Sequence, residues 1–149
     1  MRRSALAVLS LAFLATACQP ATTELTDAQK AEIEAAVLEA SVAYTDVFHA
    51  EDSDGYMSYN SDWAGTPWGC CETLDDLRSS VQTDWDRWDF ESFENGEMEV
   101  MVLGPDAAAV AFTQMQVRVD SAGVRRETAH KLAFIWVRDA GQWKLLVAK

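Results

Sequence analysis

The sequence predicts an α+β domain in which helices come first and an antiparallel sheet follows. Apolar residues recur at helical spacing in the first half of the chain, whereas the second half alternates with a period of two. Short glycine-containing turns separate the alternating segments, which is typical of strands joined by hairpins. Helices grouped before strands favour packing on one face of the sheet.

The first folded element is predicted to be a helix from about Asp27 to Phe48. Thr26 stands in the capping position, and Gln29 follows at the spacing of a capping box. Apolar residues from Ile33 onward fall near one helix face. The acidic, glycine-containing segment 51–55 is expected to end the helix and turn the chain.

Two shorter helical elements are expected next. The first is a short helix or turn at Tyr56–Tyr59. After a loop with glycine and two tryptophans, Thr73 is placed to cap a longer helix, with Asp76 three residues further on. That helix is expected to end near Trp88 or Asp89.

Four strands are expected after the helices, and they are Met98–Leu103, Ala108–Val119, Val124–Arg138 and Gln142–Ala148. Turn sequences around Gly104, Gly123 and Gly141 separate them. Connections this short predict an antiparallel meander.

The composition limits the classes of function. The 149 residues carry a formal charge of -12, with 49% hydrophobic and 24% charged residues, which suits one globular domain. The acidic excess argues against nucleic-acid binding, because phosphate contacts require clustered Lys and Arg. The sequence has no zinc-ligand spacing, phosphate-binding glycine loop or Ser-His-Asp signature, so we expect no metal and no cofactor.

A secretory signal is predicted at the start of the chain. Arg2 and Arg3 precede an apolar run of about 11 residues, too short to cross a bilayer core as a helix, which takes roughly 20. Small residues end that run at Ala17. Residues 1–17 are therefore expected to be an export signal, and residues 26–149 the folded domain.

The cysteine after this signal has a further implication. The stretch LATAC, which ends at Cys18, resembles the lipobox of bacterial lipoproteins and implies cleavage before Cys18 and lipidation of that residue. Gln19 stands where inner-membrane retention would require Asp, so the resemblance implies the periplasmic face of the outer membrane. Residues 18–25 would then form a flexible tether. The alternative is ordinary secretion with Cys18 unmodified.

Several features of the domain occur together: two N-terminal helices, a Gly-x-x-Ala before a long strand, a hairpin at Gly123 and a closing Gly-x-Trp-Lys-Leu at 141–145. In this order they resemble the SnoaL-like branch of the nuclear-transport-factor-2-like superfamily over roughly residues 26–147. The resemblance implies a cystatin-like cone, in which a strongly curved sheet wraps a long helix and encloses a pocket. It also implies that the domain is able to form a homodimer through its sheet.

Aromatic residues are the predicted lining of such a pocket. The candidates are Tyr44, Tyr59, Trp63, Trp85, Phe112, Phe134 and Trp136. The alternative is that these side chains only fill a small core.

Two residues are candidate general bases if the domain is an enzyme. Asp62 lies beside Trp63, and burial against that ring would raise its pKa. His130 lies within a predicted strand, on the same face as Phe134, and is able to exchange a proton near neutral pH. The alternatives are a turn-capping Asp62 and a packed histidine.

Cys70 and Cys71 are adjacent, and after export they would meet an oxidising environment. Their Cα atoms lie about 3.8 Å apart, below the usual disulfide range of about 4.4–6.8 Å. A vicinal disulfide there would be strained and easier to reduce. A redox switch, a soft-metal site, a structural disulfide and a pair of buried thiols remain open.

Three functions fit these observations. We favour a membrane-anchored domain that binds a small apolar or amphipathic molecule without covalent chemistry. The second is an isomerase, cyclase or dehydratase with Asp62 or His130 as the base, and the third is a dimeric interaction module. No acid–base pair follows from residue spacing, so the sequence does not decide whether the domain is an enzyme.

Overall fold

The computed structural model describes residues 24–61, 63 and 66–149. The predicted export signal, the lipidation at Cys18, most of the tether and Asp62 lie outside these residues. In the part of the chain that is described, no helix is long and apolar enough to cross a membrane.

Three helices open the domain: α1 (Asp27–His49), α2 (Ser53–Tyr59) and α3 (Leu74–Arg87). Thr26 and Thr73 cap α1 and α3, and both predicted capping boxes are present. In each, the threonine oxygen accepts from the backbone N–H three residues on, and that residue's side chain accepts from the threonine N–H. These bonds satisfy amide groups that a helix leaves unpaired at its N-terminus.

Five strands follow in the described part of the chain, where the sequence predicts four. They are β1 (Trp88–Asn95), β2 (Glu99–Gly104), β3 (Ala107–Asp120), β4 (Arg125–Asp139) and β5 (Gln142–Ala148). The unpredicted strand is β1, and Trp88 begins it instead of ending α3. A bulge between Phe90 and Ser92 shifts its register against β3, so its aromatic residues do not alternate with a period of two.

All the strand pairs are antiparallel, and β3, β4 and β5 lie side by side in chain order. β1 and β2 both pair with β3, and each covers one end of it. Between them, the N–H of Gly96 donates to the carbonyl of Thr113 at 2.8 Å. The result is an open, curved sheet with the helices on one face, as the sequence predicts for the fold class.

The core lies between this sheet and α1. Val37, Trp136 and Leu145 are completely buried. The ring of Tyr44 meets those of Phe134 and Trp136 edge-on, with centroids 5.7 and 5.9 Å apart. Because burial of such side chains supplies most of the folding free energy, this contact fixes α1 across the sheet.

The loop after α2 is attached to the last strand. The N–H of Ser61 donates to the carbonyl of Leu145, and the N–H of Ala148 donates to the carbonyl of Pro67. These bonds occupy backbone groups at the edge of β5. They also hold Trp68 beside the helices.

Candidate functional site

A cavity of about 350 Å³ opens between the helices and the sheet. Most of its wall is apolar, with Phe48 from α1, Leu77 and Val81 from α3, and Leu132 and Phe134 from β4. Its polar residues come from every side, and they are Tyr44, Thr45, Tyr56, Cys70, Ser80, Asp84, Gln114 and Gln116. An apolar cavity with a few convergent polar groups is the usual form of a small-molecule site.

The helix side of the cavity carries a hydrogen-bonded group that we call the tyrosine cluster, formed by Tyr44, Tyr56, Asn60 and Trp68. Trp68 Nε1 donates to the Tyr44 hydroxyl at 2.8 Å. That hydroxyl lies 2.6 Å from the hydroxyl of Tyr56 and 3.3 Å from Asn60 Oδ1. When Tyr44 donates to Tyr56, the hydroxyl hydrogen of Tyr56 is free for an acceptor in the cavity.

Burial keeps both hydroxyls protonated. It raises the pKa of Tyr44 well above its ordinary value, and the nearby Tyr56 raises it further. It also raises the pKa of Tyr56, and the negative charge of Asp84 adds to that rise. The cluster is therefore a neutral hydrogen-bond donor.

The wall on α3 carries a carboxylate, Asp84. Asp84 is three residues after the buried Val81 and seven after the buried Leu77, so the helical repeat places it at the edge of their apolar face. A charged residue at that spacing is the sequence signal that would have identified it. Asp84 and Tyr56 line one cavity, and this places a proton acceptor and a proton donor in it.

The sheet side carries a chain of amides. Gln116 Nε2 donates to Gln114 Oε1 at 2.9 Å, and Gln114 Nε2 donates to Asn95 Oδ1 at 2.8 Å. Asn95 in turn donates to Thr45 Oγ1 at 3.3 Å. This chain fixes the amide orientations and joins the sheet to α1.

Two of the seven aromatic candidates, Tyr44 and Phe134, line the cavity. Phe112, Trp85 and Trp136 are buried in the surrounding core. Tyr59 is half-buried, with its ring 6.2 Å from that of Trp136, and Trp63 is 60% exposed and outside the cavity. The lining residues Tyr56 and Cys70 were not predicted.

His130 lies on β4 directly opposite Gln114 of β3. Its Nε2 atom is buried and has no hydrogen-bond partner among the described residues. The role of His130 as a base stays a prediction.

Cys70 and Cys71 are both free thiols in the structure, and Cys70 lines the cavity. The side chain of Cys70, together with partial burial, raises the pKa of the Cys71 thiol to about 11. The vicinal disulfide stays a prediction. Among the described residues, no group of three or more His, Cys, Asp or Glu side chains is placed to hold a metal ion.

No family model matches the chain, and no curated protein matches it. Among solved structures, a ketosteroid isomerase-like protein from Erwinia carotovora atroseptica is 18% identical with a TM-score of 0.63, covering 76% of this chain and 91% of that one. An NTF2-like protein of unknown function in nutrient uptake from Rhodospirillum rubrum is 16% identical with a TM-score of 0.61, covering 75% and 93%. The association domain of CaMKII from C. elegans is 16% identical with a TM-score of 0.64, covering 83% and 97%.

The chain therefore has the nuclear-transport-factor-2-like fold, which confirms the fold predicted from the sequence. Identities of 16–18% show a shared fold, and they do not assign an activity to this chain.

Proposed function

We propose that the domain binds a small amphipathic molecule in the cavity between the helices and the sheet. The observation that carries this proposal is the tyrosine cluster, which leaves the hydroxyl hydrogen of Tyr56 available in a largely apolar cavity. A donor of this kind orients a ligand oxygen, while Phe48, Leu132 and Phe134 accommodate the apolar body. A volume of about 350 Å³ suits a ligand of two or three fused or linked rings.

A fluorescent probe tests this proposal on the full chain. Phenylnaphthylamine is small and uncharged, and its fluorescence rises when it leaves water. We expect saturable binding, and we expect Ser80→Trp to weaken it by at least about tenfold, because Ser80 lines the cavity and a tryptophan there would fill it.

Ser79→Trp is the matched control, since Ser79 is an exposed serine on the same helix that does not line the cavity. Equal affinities in the two variants, or no saturable binding by the unaltered chain, would contradict the proposal.

A second candidate function is proton transfer by an isomerase-type enzyme, and it is favoured by Asp84 of α3 and Tyr56 of α2, which line the same cavity. The carboxylate would remove a proton next to a ligand carbonyl, and the tyrosine would donate to the oxygen on which charge develops. The likeness in fold to a ketosteroid isomerase-like protein supports this candidate. Asp62 and His130 are the sequence-based alternatives to Asp84.

Deuterium exchange separates catalysis from binding. The full chain is mixed with β-tetralone in D₂O, and exchange at the carbon next to the carbonyl is followed by NMR. An enzyme accelerates the exchange, and Asp84→Asn removes that acceleration while leaving phenylnaphthylamine binding intact. Exchange at the buffer rate would restrict the domain to binding.

We also propose that lipid on Cys18 anchors the domain at the periplasmic face of the outer membrane, on the strength of the lipobox resemblance. Cys18→Ser should prevent acylation, shown by loss of labelled palmitate, and should move the protein from the membrane fraction to the soluble one. A variant that fractionates as the unaltered protein does would refute the anchor.

A homodimer through the outer sheet face is proposed as well. Met101 and Leu103 of β2 are 65% and 54% exposed, and Met101 lies directly opposite Ala109, which is in turn opposite Ile135. One structural neighbour is an association domain. Sedimentation should give a dimer, and Met101→Glu should give a monomer.

A further inference from the structure

Directly opposed residues of β3 and β4 form a ladder whose polarity changes along its length. Opposed residues of an antiparallel pair share one sheet face. On the face that lines the cavity, the successive pairs are Phe112–Leu132, Gln114–His130, Gln116–Thr128 and Arg118–Arg126. The surface therefore passes from apolar, through amide, imidazole and hydroxyl groups, to two guanidinium groups.

The last pair belongs to an arginine cluster, which we define as Arg87, Arg118 and Arg126 around the ring of Trp88. Their guanidinium carbons lie 5.1, 4.3 and 5.9 Å from the ring centroid. Trp88 is only 9% exposed, so the arginines cover it. Three positive charges around one ring repel one another. Such a cluster is also unexpected in a chain whose net charge is -12.

Acidic residues neutralise this cluster only in part. Arg126 lies 3.9 Å from Asp120. Arg87 and Arg118 have no carboxylate within 4.0 Å among the described residues, and Arg118 Nε is buried there without a hydrogen-bond partner. A buried donor of a charged group is costly when it is unpaired, so this site favours an added anion.

A second unpaired atom lies on the same face. His130 Nε2 is buried and without a partner, and His130 lies between Leu132 of the cavity wall and the arginine cluster. The two unpaired nitrogens therefore lie on the part of the ladder that runs from the cavity wall to the arginine cluster.

We propose that the ligand is an amphipathic anion, with its apolar part in the cavity and an oxyanion head, such as a carboxylate, sulfonate or phosphate, on Arg118 and Arg126. This inference rests on the proposed binding function. Gln116 lines the cavity and Arg118 is two residues further along the strand, about 7 Å away. A head group joined to the buried part by a short link therefore reaches the guanidinium groups, whose planar donors match an oxyanion.

Two probes that differ only in charge test the inference. Anilinonaphthalene sulfonate is phenylnaphthylamine with one added sulfonate, and both are titrated into the full chain. We expect the sulfonate to bind more tightly. In the double variant Arg118→Gln/Arg126→Gln, its dissociation constant should rise by at least about tenfold, while that of phenylnaphthylamine stays unchanged.

Arg138→Gln is the matched control, because Arg138 also stacks on a tryptophan, Trp143 at 4.8 Å, but at the opposite end of β4. It should change neither affinity. Unchanged sulfonate affinity in the double variant would overturn the inference and leave the binding function intact. Failure of the unaltered chain to bind phenylnaphthylamine would overturn the binding function itself.

Arg118 packs on buried Trp88, so the double variant has a risk of misfolding, which would show as lost phenylnaphthylamine binding. The single variants Arg87→Gln and Arg126→Gln alter exposed or half-exposed side chains and decide the question in that case. A rise in the sulfonate dissociation constant of about threefold in Arg126→Gln that exceeds the rise in Arg87→Gln supports the inference, and an unchanged dissociation constant in Arg126→Gln overturns it.

Discussion

The two polar sides of the cavity differ in how well their hydrogen bonds are satisfied. On the helix side, the tyrosine cluster joins its hydroxyls, an amide and an indole N–H into one bonded group. On the sheet side, Gln114 and Gln116 of the cavity wall are hydrogen-bonded, whereas His130 Nε2 and Arg118 Nε, which lie next to that wall, are buried without partners among the described residues. A satisfied network stabilises the fold by itself, whereas unsatisfied atoms cost stability until something binds them. The tyrosine cluster therefore stabilises the fold and keeps one donor, the Tyr56 hydroxyl, for a ligand. The sheet side holds imidazole and guanidinium nitrogens that a ligand would satisfy, and within the described part of the chain Trp85 Nε1 on α3 is unpaired as well.

Among single substitutions, the largest effect is expected from Tyr44→Phe. Loss of the buried hydroxyl leaves the partly buried Trp68 Nε1 without its acceptor and breaks the bond to Tyr56, so we expect the free energy of unfolding to fall by about 2 kcal/mol. Urea unfolding measures this. Tyr59→Phe is the control, because its half-buried hydroxyl makes no hydrogen bond within the described residues, and it should cost less than about 0.5 kcal/mol. If both variants lose the same free energy of unfolding, the hydrogen bonds of the tyrosine cluster stabilise the fold no more than the unbonded hydroxyl of Tyr59 does.

Alkaline pH should weaken the helix side next. Tyr44 and Tyr56 have raised pKa values in the folded protein, while an unfolded tyrosine titrates near about 10. Their contribution is fully present below that value. Above it, the unfolded chain loses protons that the folded chain keeps, so stability falls by about 1.4 kcal/mol per pH unit for each tyrosine.

Urea unfolding between about pH 9 and 11 checks this slope. Tyr56→Phe removes one of the two groups and should reduce the slope by about half of the tyrosine contribution. If the slope for Tyr56→Phe equals that of the unaltered chain, the Tyr56 hydroxyl titrates in the folded protein as it does in the unfolded chain.

Removal of a polar side chain from the sheet side should have the opposite effect on the free energy of unfolding. His130→Leu removes an unpaired buried nitrogen, so we expect stability to stay unchanged or to rise by up to about 1 kcal/mol. The other histidine is the control: His49 Nε2 lies 3.0 Å from the carbonyl of Phe90, and His49→Leu should cost about 1 kcal/mol. A clear loss of stability in His130→Leu would show that His130 has a partner in solution.

Local signals predicted much of the fold. The capping boxes at Thr26 and Thr73 are read from residues three apart, and the turn glycines mark the ends of long strands, so neither depends on the tertiary structure. The strand β1 was missed because its bulge breaks the alternation that identifies strands.

The site was less predictable because a cavity is assembled from distant segments. Tyr44 meets Tyr56 of the next helix and Trp68 of a loop that is itself bonded to β5, so three separate segments form the tyrosine cluster. Arg118 and Arg126 are neighbours only through the β3–β4 register. The acidic composition, taken as an average, concealed this local positive charge.

The smallest expected effect is a change in sulfonate affinity, and it tests the difference between arginines that are paired with a carboxylate and those that are not. Arg125 precedes Arg126 in the chain and is bonded to Glu91 at 2.9 Å. Both side chains are about half exposed, so Glu91→Gln should change stability by less than about 0.5 kcal/mol. The substitution removes a negative charge from the strand that carries Trp88, while Arg125 keeps its contact with Glu127 at 3.7 Å. We therefore expect anilinonaphthalene sulfonate to bind about twofold more tightly. Phenylnaphthylamine should bind as before, and a gain shared by both probes would assign the effect to the cavity instead of the arginines.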